Sequence, residues 1–177
     1  DGSSDFTIYL DDIYTSPLIN FEPQYSELSS FDGGAISVVN NPDLIGNSSN
    51  NVAQMVKNPG QPWAGSKVTI DSPFDINTPV VSVKVWSPRV GLDLMMKFED
   101  DVPWPGNTGS EEITVSTTVA NQWETLTFNH TGISSSIDWY NMVLIMDNGT
   151  VGDGSSDFTI YLDDIYTSPL INFEPQY

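Results

Sequence analysis

Val80-Val81-Ser82-Val83-Lys84-Val85-Trp86 and, shortly after, Leu92-Asp93-Leu94-Met95-Met96-Lys97-Phe98 decide the fold class. In the first stretch Val81, Val83 and Val85 alternate with Ser82, Lys84 and Trp86. In the second, Leu92, Leu94, Met96 and Phe98 alternate with Asp93, Met95 and Lys97. A period of two puts alternate side chains on opposite faces of a strand, one toward a core and one away from it. Working outward, short apolar runs recur between clusters of Gly, Pro, Asn and Ser, and no window of eleven residues holds apolar positions at helical spacing. The pattern predicts strands near 18–22, 35–39, 51–57, 66–70, 80–87, 91–98, 111–117, 123–128, 140–147 and 157–165. About ten strands in ~150 residues fit an all-β, antiparallel β-sandwich of the jelly-roll kind.

The second decisive feature is a duplication. Residues 1–25 read DGSSDFTIYLDDIYTSPLINFEPQY, and residues 153–177 repeat them without a mismatch. Chance does not produce a 25-residue identity, so the chain is read as a window on a tandem array with a period of 152 residues. Pro17 and Pro169 interrupt the strand pattern, because proline cannot continue a central strand. Residues 1–17 are then the last strand of a preceding repeat, 18–169 one complete repeat, and 170–177 the first strand of the next. The linker between units is short, which favours a restricted geometry over independent beads.

Charge and composition exclude several functions. The 177 residues carry 24 acids, five bases and no cysteine, for a formal charge of −19. Nucleic-acid binding needs a basic stripe that five scattered cations cannot supply, and anionic membrane surfaces are disfavoured for the same reason. No apolar run approaches the ~20 residues of a bilayer span. Any targeting leader is expected outside this stretch. The first 25 residues hold five of the acids and none of the bases, so each further repeat adds 14 negative charges and keeps an array soluble and extended.

Gly33-Gly34-Ala35, Asn41-Pro42-Asp43 and Gly46-Asn47-Ser48-Ser49 precede residues 52–57 and Trp63-Ala64-Gly65-Ser66. Lys84-Val85-Trp86-Ser87-Pro88, Thr117 to Phe128, and Tyr161-Leu162-Asp163-Asp164-Ile165 follow. In this order they resemble the carbohydrate-binding-module-like jelly-roll domains of secreted multidomain proteins of Bacteroidetes, often found beside polysaccharide hydrolases. The resemblance spans nearly the whole repeat and implies a non-catalytic, extracellular β-sandwich. It also implies one structural Ca²⁺ where the first and last strands meet. Carried onto this sequence, the ligands are Glu22 with Asp163 or Asp164, and Asn41, Asp43 and Asn47 from the intervening loop. Like charges at a packed edge give an independent motive, because a divalent cation turns that repulsion into a clamp. Asp11 and Asp12 belong to the preceding repeat and Glu174 to the next.

Catalytic groupings are weaker. Glu99-Asp100-Asp101 and Glu111-Glu112 flank Pro103-Trp104-Pro105-Gly106-Asn107 and read as solvated loop, and His130 has no nucleophile partner in the sequence. Asn47, Asn129 and Asn148 begin N-x-S/T triplets of the kind that composition alone produces. Sugar binding needs exposed rings, and Trp63, Trp86, Trp104, Trp139 and Tyr140 are the candidates for carbohydrate or partner contact. Two functions follow as expectations. One is a calcium-stabilised repeat of a secreted or cell-surface structural protein, an adhesin stalk or filament whose partners are neighbouring identical repeats or subunits. The alternative is a carbohydrate-binding module that targets a polysaccharide-degrading enzyme to its substrate. Neither is an enzyme, and neither inserts in a membrane.

Overall fold

The computed structural model describes residues 19–22 and 27–167 and contains ten strands in two antiparallel sheets. β1 (Leu28–Phe31), β4 (Gly65–Thr69), β9 (Asn141–Met146), β6 (Asp93–Glu99) and β7 (Ile113–Ser116) form the first sheet, in the order β1-β4-β9-β6-β7. β2 (Gly34–Asn40), β3 (Asn51–Lys57), β10 (Thr159–Tyr166), β5 (Val80–Trp86) and β8 (Trp123–Asn129) form the second, ordered β2-β3-β10-β5-β8. A single 3₁₀ turn, Ser156–Phe158, leads into β10. The all-β, two-sheet sandwich expected from the alternation is therefore the fold. Among the described residues no helix is long and apolar enough to cross a membrane.

Alternation places the core. Val81, Val83 and Val85 of β5 are fully buried beside Leu162 and Phe128 of the same sheet, and Leu94, Met96 and Phe98 of β6 meet them from the other sheet with Leu144 of β9. A buried aliphatic side chain of this size contributes roughly 1.5–3 kcal/mol over leaving it in water. β9 departs from simple alternation, since Met142, Val143, Leu144, Ile145 and Met146 are all buried. Met142, Leu144 and Met146 fill the space between the sheets, while Val143 and Ile145 join Met95 and Phe31 in a second apolar cluster.

Two expected elements differ. Residues 18–22 do not form a strand within the described residues; Ile19 makes one antiparallel bridge with Ile165, through backbone bonds of 3.3 and 2.8 Å. The strand that opens the first sheet is Leu28–Phe31, whose Ser29 and Ser30 gave no apolar signal. The boundaries at Pro17 and Pro169, Asp11, Asp12 and Glu174 lie outside the described residues.

The few basic groups are used internally. Lys57 is buried, and its ammonium donates to the carbonyls of Pro62 at 2.7 Å, Met146 at 2.6 Å and Asp147 at 3.0 Å. A buried cation is tolerated when carbonyl acceptors replace its water. Here they tie β3 to the loop before β4 and to the end of β9.

His130 is buried beside Phe74 and Phe98, with ring centroids 6.4 and 5.2 Å away, and neither ring nitrogen has a partner. Burial lowers its pKa below the ordinary 6.5, against a smaller opposing effect of Glu111. The folded state thus binds the proton less readily than the unfolded chain, so stability is full above pH 6.5 and falls as pH drops through that value toward the folded pKa. Thermal melts between pH 7.5 and 5 should show this fall in the wild type and a flatter profile in His130→Leu. Superimposable profiles would contradict the assignment.

A candidate carbohydrate-binding groove and a buried carboxylate

The outer face of the first sheet carries three rows of side chains fixed by strand register. Lys67 of β4 stands opposite Val143 of β9, which stands opposite Lys97 of β6. One step along, Ile145 faces Met95 across β9 and β6. Gly65 completes that row, and a Cβ there would come within 2.7 Å of Ile145 Cγ1 and 2.8 Å of Phe31 Cζ. The missing side chain is what allows Phe31 to lie across β4 against Ile145. In the other direction, Thr69, Asn141 and Glu99 form a polar row, where the Thr69 hydroxyl donates to Asn141 Oδ1 at 2.9 Å.

Glu99 follows Lys97 by two residues on the same face of β6, lies diagonal to Lys67 across β9, and accepts from each: Lys67 Nζ is 2.8 Å from Oε2 and Lys97 Nζ 3.2 Å from Oε1. Burial alone would raise its pKa, but the bonds and charges of Lys67 and Lys97 prevail and hold the carboxyl below the usual range. The floor is thus polar but nearly neutral, two ammonium groups sharing one carboxylate, with Glu112 a further 3.9 Å from Lys97 Nζ. Glu99, expected in a solvated loop, is instead the last residue of β6 and only 9% exposed.

Over this floor lies a groove of about 800 Å³ to which Trp63 and Trp104 both contribute, along with Asp32, Asn107 and Asn148. Trp104 is 85% exposed and Trp63 51%. Their loops join the sheet at opposite ends of the rows, since the Trp63 loop enters at Gly65 and the Trp104 loop leaves after Glu99. Trp63 is oriented by Asp32, whose carboxylate accepts its indole N–H at 2.8 Å. The Trp104 loop is closed by Asp100, whose carboxylate accepts from the backbone N–H groups of Val102 and Thr108 at 3.1 Å each.

The other aromatic candidates lie elsewhere. Trp139 is 1% exposed and packs in the core, its indole donating to the Ser134 carbonyl at 3.0 Å. This corrects the expectation that it meets a ligand: the apolar ring fills the end of the sandwich. Tyr140 is partly buried beside it, outside the groove lining. Trp86 is on the outer face of the second sheet, in register with Trp123 and Tyr161, and stacks edge-on with Tyr161 at 5.5 Å. Sequence reasoning missed Phe31, Asp32, Lys67, Lys97 and Glu99. The outward placement of Met95 and Lys97 was the available signal.

Of the expected metal ligands, Asp163 and Asp164 lie in β10 of the second sheet, and Asn41, Asp43 and Asn47 lie in the loop between β2 and β3. β10 carries a bulge, because its register against β5 shifts between Asp163 and Tyr166, and Asp164 adopts φ 43°. The bulge separates the two carboxylates. Asp164 pairs with Lys84 at 2.8 Å, while Asp163 is fully buried and its Oδ2 accepts from Asn47 Nδ2 at 2.7 Å. Asp163 Oδ1 has no hydrogen-bond partner. Burial raises the pKa of Asp163, outweighing the bonds that would lower it. Its ionised form therefore costs stability at neutral pH, and that cost disappears only below the unfolded pKa or when a cation supplies the missing charge.

Glu22 reaches the same region, where its Oε1 accepts from Asn51 N at 2.5 Å, and Asn51 begins the strand beside Asp163. Asn41 is spent on the loop: Nδ2 donates to the carbonyls of Asn47 and Ser49 at 3.0 and 2.9 Å, and Oδ1 accepts from Asp43 N. Asp43 Oδ1 accepts from Ile45 N, and its carbonyl takes the Trp123 indole N–H at 2.7 Å. Among the described residues no three His, Cys, Asp or Glu side chains stand together as a metal group. A hard cation here would draw on Asp163, Glu22 and amide or carbonyl oxygens, a donor set that suits Ca²⁺. The orphaned Asp163 oxygen fits such an ion.

Neither a family model nor a characterised protein matches the sequence. Solved structures do match the fold. A family 11 carbohydrate-binding module from Clostridium thermocellum, in complex with a β-1,3-1,4-mixed-linked tetrasaccharide, aligns with a TM-score of 0.58 at 14% identity, over 85% of this chain and 92% of that one. A family 30 carbohydrate-binding module aligns at 0.54 and 14% identity, covering 85% and 83%. An α-L-arabinofuranosidase structure aligns at 0.57 and 14% identity, over 84% of this chain but only 25% of the enzyme. At such identities the likeness establishes the fold: a jelly roll of the carbohydrate-binding-module type.

Proposed function

We propose that this domain is a non-catalytic, extracellular carbohydrate-binding module that holds an uncharged polysaccharide in the groove between Trp63 and Trp104. The observation that carries the reading is two exposed indoles at opposite ends of one groove, over a floor where apolar and hydrogen-bonding rows alternate. Pyranose rings offer apolar faces to aromatic rings and hydroxyls to flanking polar groups, and this groove supplies both. A sugar chain spanning the two indoles runs along the strands, over Val143 and Ile145, with the ammonium groups of Lys67 and Lys97 as donors and Glu99, Asp32 and Asn107 as acceptors.

Electrostatics narrow the ligand class. A charge of −19 repels uronate or sulfated chains, and the Lys67–Glu99–Lys97 triad offers a cationic sugar no unpaired carboxylate. Neutral chains remain. The folds that match are those of modules solved with or named for carbohydrate, which favours this reading over a purely structural stalk. The 152-residue repeat is compatible with it, because tandem modules on one polymer gain avidity through effective concentration. On this reading residues 18–169 form one module of an array, delivering an attached polysaccharide-degrading activity to its substrate.

Bound Ca²⁺ would be held by Asp163, Glu22 and Asn47, supplying the positive charge that the buried carboxylate lacks and clamping the 41–50 loop to β10. Its role is structural, remote from the groove on the other sheet.

Calorimetric titration against mixed-linkage glucan, other neutral glucans and mannan tests the groove. Trp63→Ala and Trp104→Ala should each lose about 2 kcal/mol, close to 30-fold in affinity, as truncation of an aromatic anchor does, while alginate gives no heat. A flat response across the neutral panel would remove the proposal. For the ion, chelation should lower the melting temperature by about 5–10 °C if the site is 100-fold saturated, and Asp163→Asn should abolish that sensitivity. A melt unchanged by chelator would exclude structural calcium.

A further inference from the structure

The Trp63 end of the groove is held from inside the sandwich. Lys57 follows Ala53 and Met55 on the core side of β3, so its stem crosses the interior and its ammonium reaches the first sheet where β4 begins and β9 ends. The stem passes Gly152, where a Cβ would come within 2.7 Å of Lys57 Cγ. Building on the sugar-binding groove proposed above, we propose that Lys57, fully buried and outside the groove lining, is the residue that positions Trp63 for stacking on a sugar ring.

A lysine ammonium offers three donors and no acceptor, which matches three converging carbonyls. Pro62 O, at 2.7 Å, belongs to the peptide plane that joins Pro62 to Trp63, so holding that oxygen fixes the point from which the Trp63 side chain springs. Met146 O and Asp147 O, at 2.6 and 3.0 Å, anchor the ammonium to the end of β9. Gly149 N–H closes the ring by donating to the same Pro62 carbonyl at 3.1 Å. The backbone beneath Trp63 is thereby tied to the first sheet through two donors.

An indole that is 51% exposed has little packing to hold it, so its order must come from such ties. Asp32 supplies the other one. Its carboxylate accepts the Trp63 indole N–H at 2.8 Å, and its carbonyl accepts from Gln61 N at 2.8 Å, within the same loop. Asp32 aims the ring, and Lys57 sets where the ring starts. Replacing Lys57 by methionine leaves three buried carbonyls without their donor and lets the Pro62–Trp63 peptide turn. A sugar must then order a mobile side chain as it binds, which weakens affinity without removing any contact to the sugar itself.

Full-length variants test this by calorimetry with a mixed-linkage glucan oligosaccharide and by NMR of the tryptophan indole N–H groups. Lys57→Met should weaken binding roughly 3- to 10-fold, the cost of ordering one mobile side chain. In a Trp63→Ala background the same change should cost little more, because its effect passes through that ring. Without ligand, the Trp63 indole of Lys57→Met should gain fast motion while the Trp104 indole does not. Wild-type affinity with an unchanged Trp63 indole, or an equal loss in the Trp63→Ala background, would overturn the assignment. Should Lys57→Met not fold, the wild type decides: coupling is reciprocal, so saturating sugar must slow hydrogen exchange of the Lys57 ammonium, and unchanged exchange overturns the proposal. A wild type that binds none of the neutral sugars removes the groove reading, while the Trp63 indole of the ligand-free variant still shows whether Lys57 fixes that ring.

Discussion

Strand β9 has no solvent face, and the rest of the molecule follows from that constraint. Met142, Leu144 and Met146 lock the two sheets together, while Val143 and Ile145 pack outward with Met95 and Phe31. A strand buried on both faces must have something over each of them. On the inner side it is the second sheet. On the outer side it is only a thin apolar cluster, bordered by Lys67, Lys97 and Glu99 and overlooked by two indoles. The apolar run needed to hold the sandwich together is the same run that leaves a groove suited to a ring-shaped, partly apolar ligand.

Scarcity of positive charge shapes the chain in a second way. All five basic residues have assigned work: Lys57 on three carbonyls, Lys67 and Lys97 on Glu99, Lys84 on Asp164, and Arg89 on Asp147. Each sits where strands or loops from distant parts of the sequence converge. The excess of 24 acids over five bases gives the chain its repulsion toward polyanions, and among the described residues Asp163 stands apart as a buried, half-satisfied carboxylate.

Much of this was legible in the sequence, and the failures have physical causes. The alternation in β5 and β6 gave the sandwich directly, because valines spaced by two admit few other readings. Leu28–Phe31 was invisible because an edge strand with two central serines carries no periodic signal. Glu99 looked like loop because acidic neighbours suggest solvent, yet Lys97 on its own strand and Lys67 from across β9 make its burial tolerable. Trp139 read as exposed because it lies between strands, but its ring closes the core. The spacing of Leu162 and Ile165, three apart in a strand of period two, already encoded the bulge that sends Asp163 and Asp164 different ways. Trp63 and Trp104 were identifiable by their loop contexts, but only register shows that they bracket one surface.

We propose that neutral sugar binds on the outer face of β1-β4-β9-β6-β7. Methyl-resolved NMR during titration with a neutral mixed-linkage oligosaccharide tests it most directly. Shifts are expected only at the methyl groups of Val143, Ile145 and Met95, with those of Val81, Val83 and Leu162 unmoved. Shifts confined to the opposite sheet, or none at saturating sugar, would contradict it.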